Sequence, residues 1–297
     1  MLRRSFLSVL AGSAIVSRLP MLAQGGITVT PLAEKLHLLA GIGGNIVILE
    51  GADGLLMIDS GLSEAAQALL AETGKIGKGK VTRLINTHWH YDHVGGNTTF
   101  GKTGARILAN ENVKARLSTR QMNKFLNRPT EPLPSEGLPV ETFKDKGQLK
   151  HGGDIVHYQL LPPAHTDGDT VIHFQSANVI HGGDLLFHGL YPFIDYSSAG
   201  SLAGMVANAE RIYKMADTKS KIVPGHGPLM NKQDVKEYGD MLADCLGIFT
   251  KSIREGKSLE ELQAAKPFTK YDDTLGKMFL KPEQWIAMNY MGMKRSS

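Results

Sequence analysis

Past its first 25 residues the chain opens on short apolar runs, ITVT, KLHLLA, NIVILE and LLMID, separated by Gly, Asn and Asp. That spacing predicts a meander of strands joined by tight turns. The period changes in SEAAQALLAETG, where apolar residues gather on one helical face, with Ser63 as the expected N-cap and Gly74 as the stop. VTRLINT returns to strand character and delivers the chain into HWHYDH, so this polar hexapeptide is expected on a loop at a strand's end. In the second half, strands are expected at ARILAN, PVETF, DIVHYQLLP, TVIHF and NVIHGGD, and helices at about 201–216, 231–254 and 282–290. Strand clusters with interspersed helices in both halves predict an α/β chain of two sheets packed face to face with helices outside. One unit over 26–297 is expected, with a helical C-terminal region from about 231. NRPTEPLPSEGLP, residues 127–139, carries four prolines and reads as a connection within that unit.

Composition narrows the function classes. At 297 residues, 42% hydrophobic and 21% charged, the chain is globular. Arg3, Arg4 and Arg18 lie in a first stretch of 25 residues that has no acid; without these three charges the net of +4 falls to +1. A near-neutral body lacks the basic excess of a nucleic-acid binder. The leader, MLRRSFLSVLAGSAIVSRLPMLAQGG, has a charged start, an apolar run from Phe6 to Val16 and then small and polar residues, the layout of an export signal over residues 1–25 with cleavage after Ala23. Its apolar run falls short of the roughly 20 residues that cross a bilayer, so no stable membrane span is expected. RRSFL resembles the twin-arginine export motif, although Leu2 and Ser8 depart from it. That resemblance implies the twin-arginine machinery as a partner and a folded product in the periplasm or outside the cell. Cys245, the one cysteine, excludes an internal disulfide and reads as a small buried residue in DMLADCLGIF.

The chemistry concentrates in THWHYDHVGG, residues 87–96, where His88, His90, Asp92 and His93 stand within six positions. A packed core has no use for so many polar side chains, since each must find a partner when it leaves water. A metal ion can satisfy all of them. On an extended backbone His88 and His90 project to the same side, while Asp92 and His93, past the turn, can face a second position. Two metals would need further donors. PPAHTDGD supplies His165, HGGDLLF supplies Asp184 and VPGHGP supplies His226, each after an apolar strand and beside small residues that keep bulk away from an ion. A carboxylate such as Asp184 can bridge two cations.

On these residues the chain resembles the metallo-β-lactamase-fold hydrolase superfamily. HxHxDH is met in full by His88, His90, Asp92 and His93, and the later His, Asp and His by His165, Asp184 and His226, in order, over about residues 28–230. The resemblance implies an αββα sandwich of two mixed sheets with the site along one sheet edge. It implies two zinc ions, one held by His88, His90 and His165, the other by Asp92, His93 and His226, with Asp184 bridging. The implied reaction is hydrolysis of an ester, thioester, lactone or amide bond in a small-molecule substrate by a hydroxide shared between metals about 3.5 to 4 Å apart. Asp92 would orient that hydroxide or relay its proton. By family comparison, true zinc β-lactamases mostly place Cys or Ser at the position of Asp184, so β-lactam cleavage is expected only as a weak or promiscuous activity. The alternative within the same fold is an iron-dependent sulfur dioxygenase, which uses only part of this ligand set.

Other positions receive simpler readings. His37, His151, His157, His173 and His181 sit in or beside strands and are expected to be surface or hydrogen-bonded histidines. Asp59 is expected to support the metal loop through hydrogen bonds, and Asp167 and Asp169 to shape the turn after His165. Trp89 and Tyr91 are read as core packing. His188, Tyr191, Phe193 and Tyr196 either wall a substrate pocket or pack beneath it. NVKARLSTRQMNKFLNR, residues 112–128, carries five cations and no acid and is read as a solvated helix face that could also draw in an anion. Met288, Met291 and Met293 serve packing or a partner surface.

Overall fold

The structure, a computed structural model, describes residues 26–296. The export signal and twin-arginine-like motif expected at residues 1–25 lie outside them. The apolar runs near the start form strands β1 (Thr28–Ala33), β2 (Leu36–Ala40), β3 (Ile46–Gly51) and β4 (Gly54–Ile58), an antiparallel meander. Strands β5 (Val81–Ile85) and β6 (Arg106–Asn110) follow in parallel. A two-stranded hairpin, β7 (Gln121–Asn123) and β8 (Arg128–Thr130), stands apart, and β9 (Glu141–Phe143) returns to the edge beside β6. The second sheet runs in chain order through β10 (Lys146–His151), β11 (Asp154–Leu160), β12 (Thr170–Phe174), β13 (Val179–Phe187) and β14 (Lys221–His226), the last pair parallel.

Side-chain alternation explains the layering. Val47, Leu49, Leu56 and Ile58 point to one side of the first sheet and meet Val156, Ile172, Phe174 and Val179 of the second. Their neighbours Ile46, Ile48, Leu55 and Met57 point to the other side, toward Leu69 of helix α1 (Ala66–Thr73) and Phe100. Each such side chain, fully withdrawn from water, is worth about 1.5–3 kcal/mol relative to an exposed one. The second sheet's outer side carries the C-terminal helices. The longest helix among the described residues, Lys232–Arg254, starts with a capping box between Asn231 and Asp234 and buries a stripe through Val235, Tyr238, Leu242, Cys245 and Phe249. Helix, sheet, sheet and helix layers thus stack as expected for an αββα sandwich. Among the described residues no helix is long and apolar enough to cross a membrane.

Three readings need correction. Ser63 does not cap α1: the chain enters through a 3-10 turn over Ser63–Ala65, and the Ser63 hydroxyl donates to Glu64 instead. The segment 112–128 is not one helix face. Its helix ends at Leu117, where the Ser118 and Thr119 hydroxyls fold back onto the carbonyls of Lys114 and Ala115, and the chain continues into the β7–β8 hairpin. Asp184 does not follow a strand but lies inside β13, which bends at Gly183 and runs on to Phe187.

Candidate metal centre

Strand β5 ends at Ile85, the chain bends at Thr87 and His88, and His90 is extended, with φ −67° and ψ 146°. One helical turn, Tyr91–Val94, then swings Asp92 and His93 round to an adjoining position. His165 comes from the loop between β11 and β12, Asp184 from the bend of β13, and His226 is the last residue of β14. All seven residues meet. Their donor atoms form two groups, His88, His90, His165 and Asp184 in one, Asp92, His93 and His226 in the other, each with atoms within 4.8 Å of one another.

The outer nitrogens of these rings decide what the inner ones present. His165 Nδ1 donates to the Phe193 carbonyl at 2.7 Å, His90 Nε2 to Asp195 at 3.1 Å, and His93 Nδ1 to Asp59 at 2.8 Å. Thr87 Oγ1 donates to Asp59 at 2.7 Å and so accepts from His88 Nδ1 at 3.1 Å. A neutral imidazole that spends its proton outward shows a bare lone pair inward. His165 Nε2 and His90 Nδ1 therefore face each other at 2.8 Å with a lone pair each, and His93 Nε2 and His226 Nε2 stand 3.3 Å apart. His88 Nε2 is buried with no hydrogen-bond partner among the described residues. Asp184 Oδ1 lies 3.0 Å from His93 Nε2 in a geometry that makes no hydrogen bond, and Asp184 Oδ2 lies 3.4 to 3.9 Å from His165, His226 and His88. Converging lone pairs repel unless a cation lies between them, and nitrogen and carboxylate donors without a thiolate suit divalent metals such as zinc.

Close backbone approach makes room for this crowding. A Cβ on Gly225 would stand 1.9 Å from Asp184 Oδ1, and one on Gly44 would enter the His93 ring at 2.1 Å. Asn45 fixes that arrangement, its amide donating to the carbonyls of Pro224 and Gly227 at 2.9 Å.

Burial pushes His88 well below the ordinary imidazole range and His165 down to about 4, so both stay neutral. Burial pushes His226 the same way, but Asp184 and Asp92 outweigh it and bring His226 up to about 9. The carboxyls of Asp92 and Asp184 are held below their usual range despite burial, by His93 and His226. Despite burial, Asp184 and Asp92 likewise raise His93, so the metal-free cluster keeps protons on His93 and His226, and a divalent cation would bind in place of those protons.

Asp59, as expected, supports the motif from behind: at φ 61° its carboxylate accepts from the Thr87 N–H at 2.8 Å, as well as from Thr87 Oγ1 and His93. Asp169 shapes the turn by accepting from the His165 and Thr166 N–H groups, whereas Asp167 pairs with Arg116. His37, His151, His157 and His181 are hydrogen-bonded to Glu50, the Gly54 carbonyl, Gln175 and the Asn45 carbonyl. Cys245 is buried. The loop after Asp184 divides: Phe193 and His188 line a cavity of about 600 Å3 over the donors, while Tyr191 and Tyr196 pack beneath against Trp285 and Asn289. Trp89 and Tyr91 also line that cavity, Trp89 while buried in a small core.

Asp195 was not visible as a site residue in the sequence. The run DYSS signals only a carboxylate opening a 3-10 turn, and Asp195 does accept from Ser197 N and Ser198 Oγ. Its contact with His90, 105 residues away, depends on the tertiary fold. Replacing Asp195 by alanine frees the His90 ring and its tautomer, and is expected to weaken zinc binding about 10- to 100-fold. Competition against a chromophoric chelator measures this, and D195N, which keeps an acceptor oxygen, should lose less. Equal affinities in all three proteins would remove Asp195 from the site.

A profile of the metallo-beta-lactamase superfamily matches residues 39–240. The acyl-coenzyme A thioesterase MBLAC2 of Gallus gallus is 25% identical over 203 residues, covering 61% of this chain and 72% of that protein. Metallo-beta-lactamase type 2 of Bacteroides fragilis is 23% identical over 234 residues, 74% of this chain and 87% of that one. Among solved structures, a metallo-beta-lactamase from Pontibacter korlensis superposes with a TM-score of 0.60 at 19% identity, over 73% of this chain and 99% of its own. Profile, relatives and layered architecture agree, and the chain belongs to the metallo-beta-lactamase superfamily, as a hydrolase-fold member with a His and Asp metal-binding cluster.

Proposed function

We propose that the protein is a dinuclear zinc hydrolase that cleaves an ester, thioester, lactone or amide bond in a small molecule. The observation that carries this reading is the convergence of bare imidazole lone pairs and two carboxylates on adjoining positions beneath an open cavity. His88, His90 and His165 would hold one cation, Asp92, His93 and His226 the other, and Asp184 would reach both. Bound there, two zinc ions would ionise water near neutral pH and polarise a carbonyl oxygen.

The chain's own groups do the remainder. Asp92 is the most cavity-facing carboxylate of the set, 18% exposed, and stays ionised at neutral pH. Its Oδ2, 3.2 Å from His226 Nε2, is the atom placed to orient an attacking water, accept its proton and return it to the leaving group. Asp59 and Asp195 hold the rings of His93 and His90 in register, and the apolar wall excludes bulk water. Among the relatives, one is named as an acyl-coenzyme A thioesterase and one as a β-lactamase; both attack an acyl carbon, which supports acyl transfer to water here.

The test joins metal content to turnover. The purified protein should contain two zinc per chain by emission spectroscopy, hydrolyse a member of a panel of thioesters, lactones, simple esters and β-lactams, lose that activity to a chelator and regain it with zinc. One iron per chain and oxygen consumption with a persulfide would instead support the dioxygenase, and turnover untouched by metal removal would defeat both readings.

A further inference from the structure

The cavity over the donors is walled mainly by apolar side chains, among them Trp89, Leu126, Phe187, Leu190, Phe193 and Phe279. Outside the donor cluster, one lining residue among those described carries a permanent charge, Arg128 at the start of β8. The two other arginines of the 112–128 segment and its flank are already paired, Arg116 with Asp167 at 2.6 Å and Arg120 with Glu131 at 3.0 Å. Arg128 differs. Among the described residues no carboxylate lies within 4.0 Å of its guanidinium, which instead rests on the Tyr91 ring with Cζ 3.4 Å from the centroid. Tyr91 stands between His90 and Asp92 in the chain, so this stacking holds the guanidinium on the cavity wall beside the donors.

A half-buried guanidinium without a counter-ion, in an otherwise greasy wall, is poised for an anion brought by the ligand. Its planar fork matches a carboxylate with two parallel hydrogen bonds, and stacking has already restricted its rotamers. Resting on the hydrolase reading above, we propose that Arg128 is the specificity-determining anion site of this cavity, and that the substrate is amphiphilic: an apolar acyl compound with a carboxylate, which Arg128 binds while the scissile bond lies over the donors.

The test compares two para-nitrophenyl esters of equal chain length, the neutral hexanoate and the anionic mono-adipate, on zinc-loaded protein. Wild type is expected to prefer the adipate ester in kcat/KM by about ten- to a hundredfold, the range of a charge-assisted hydrogen-bond pair, expressed mainly in KM. In R128Q that ratio should fall toward one, and R128K should keep part of it. K124Q, which removes an exposed lysine of the same hairpin outside the cavity lining, should keep the wild-type ratio. A ratio that R128Q leaves intact, or that K124Q abolishes equally, overturns the proposal. Calorimetric binding of decanoate against decanamide gives a readout that needs no turnover: decanoate should lose about tenfold or more in affinity relative to decanamide in R128Q, and an unchanged ratio overturns the proposal. If wild type cleaves neither of these esters nor any compound of the panel above, the hydrolase reading fails, while the calorimetry decides the role of Arg128 on its own. Circular dichroism of each variant shows whether it is folded.

Discussion

Exchanging Asp184 for alanine is expected to lower kcat/KM by roughly a thousandfold or more and to reduce the zinc content from two ions toward one. The reason is positional: Asp184 Oδ1 and Oδ2 lie within 3.0 to 3.9 Å of nitrogens of His93, His165, His226 and His88, and among the described residues no other carboxylate reaches both donor groups. Without it, four imidazoles keep their lone pairs but lose the charge that sits between them, and the transition-state stabilisation of several kcal/mol that a metal pair supplies goes with the second ion. Emission spectroscopy and steady-state kinetics on the same preparation measure both quantities. A D184A protein with two tightly held ions and near-normal turnover would show that Asp184 is a bystander.

Trp285→Ala is expected to destabilise the fold by about 3–5 kcal/mol, the range for emptying a buried large aromatic side chain. Trp285 is fully buried, stacks on Tyr191 with centroids 4.3 Å apart, and touches Phe249 and Phe268. The effect should also reach the metals. The indole N–H donates to the Pro192 carbonyl at 2.9 Å, and the next carbonyl, that of Phe193, fixes the tautomer of His165. Urea unfolding of the zinc-loaded and zinc-free proteins measures the change. A loss of less than about 1 kcal/mol in both would mean that the aromatic cluster relaxes around the gap.

The strands were legible because a sheet covered on both faces buries every position, and Ile46, Val47, Ile48 and Leu49 form an unbroken apolar run too short for a helix. The seven donors were legible for a related reason. Metal ligands need polar atoms where a scaffold ends, and His88, His165 and His226 each follow an apolar run with small residues beside them. What escaped depends on distant partners. Asp195 has an ordinary turn signature, and nothing local tells that its second oxygen meets His90. The β7–β8 hairpin was hidden because its strands are short and little buried, with Met122 48% exposed, so no apolar alternation marks them. Ser63 looked like a cap because its residue type suits one, but the backbone turns once more before α1 begins.

The donors are divided between the two halves of the chain. His88, His90, Asp92 and His93 hang from the end of the first sheet's β5, whereas His165, Asp184 and His226 belong to the second sheet and its loops. Any cation bound among them is thus a clasp across the seam between the sheets, and its affinity adds to the work of prising the halves apart. Scavenging of a metal would hand the joint back to the apolar core between the sheets and to His226, whose ring lies 3.2 Å from Asp92 and 3.5 Å from Asp184, so the halves would stay together but less tightly.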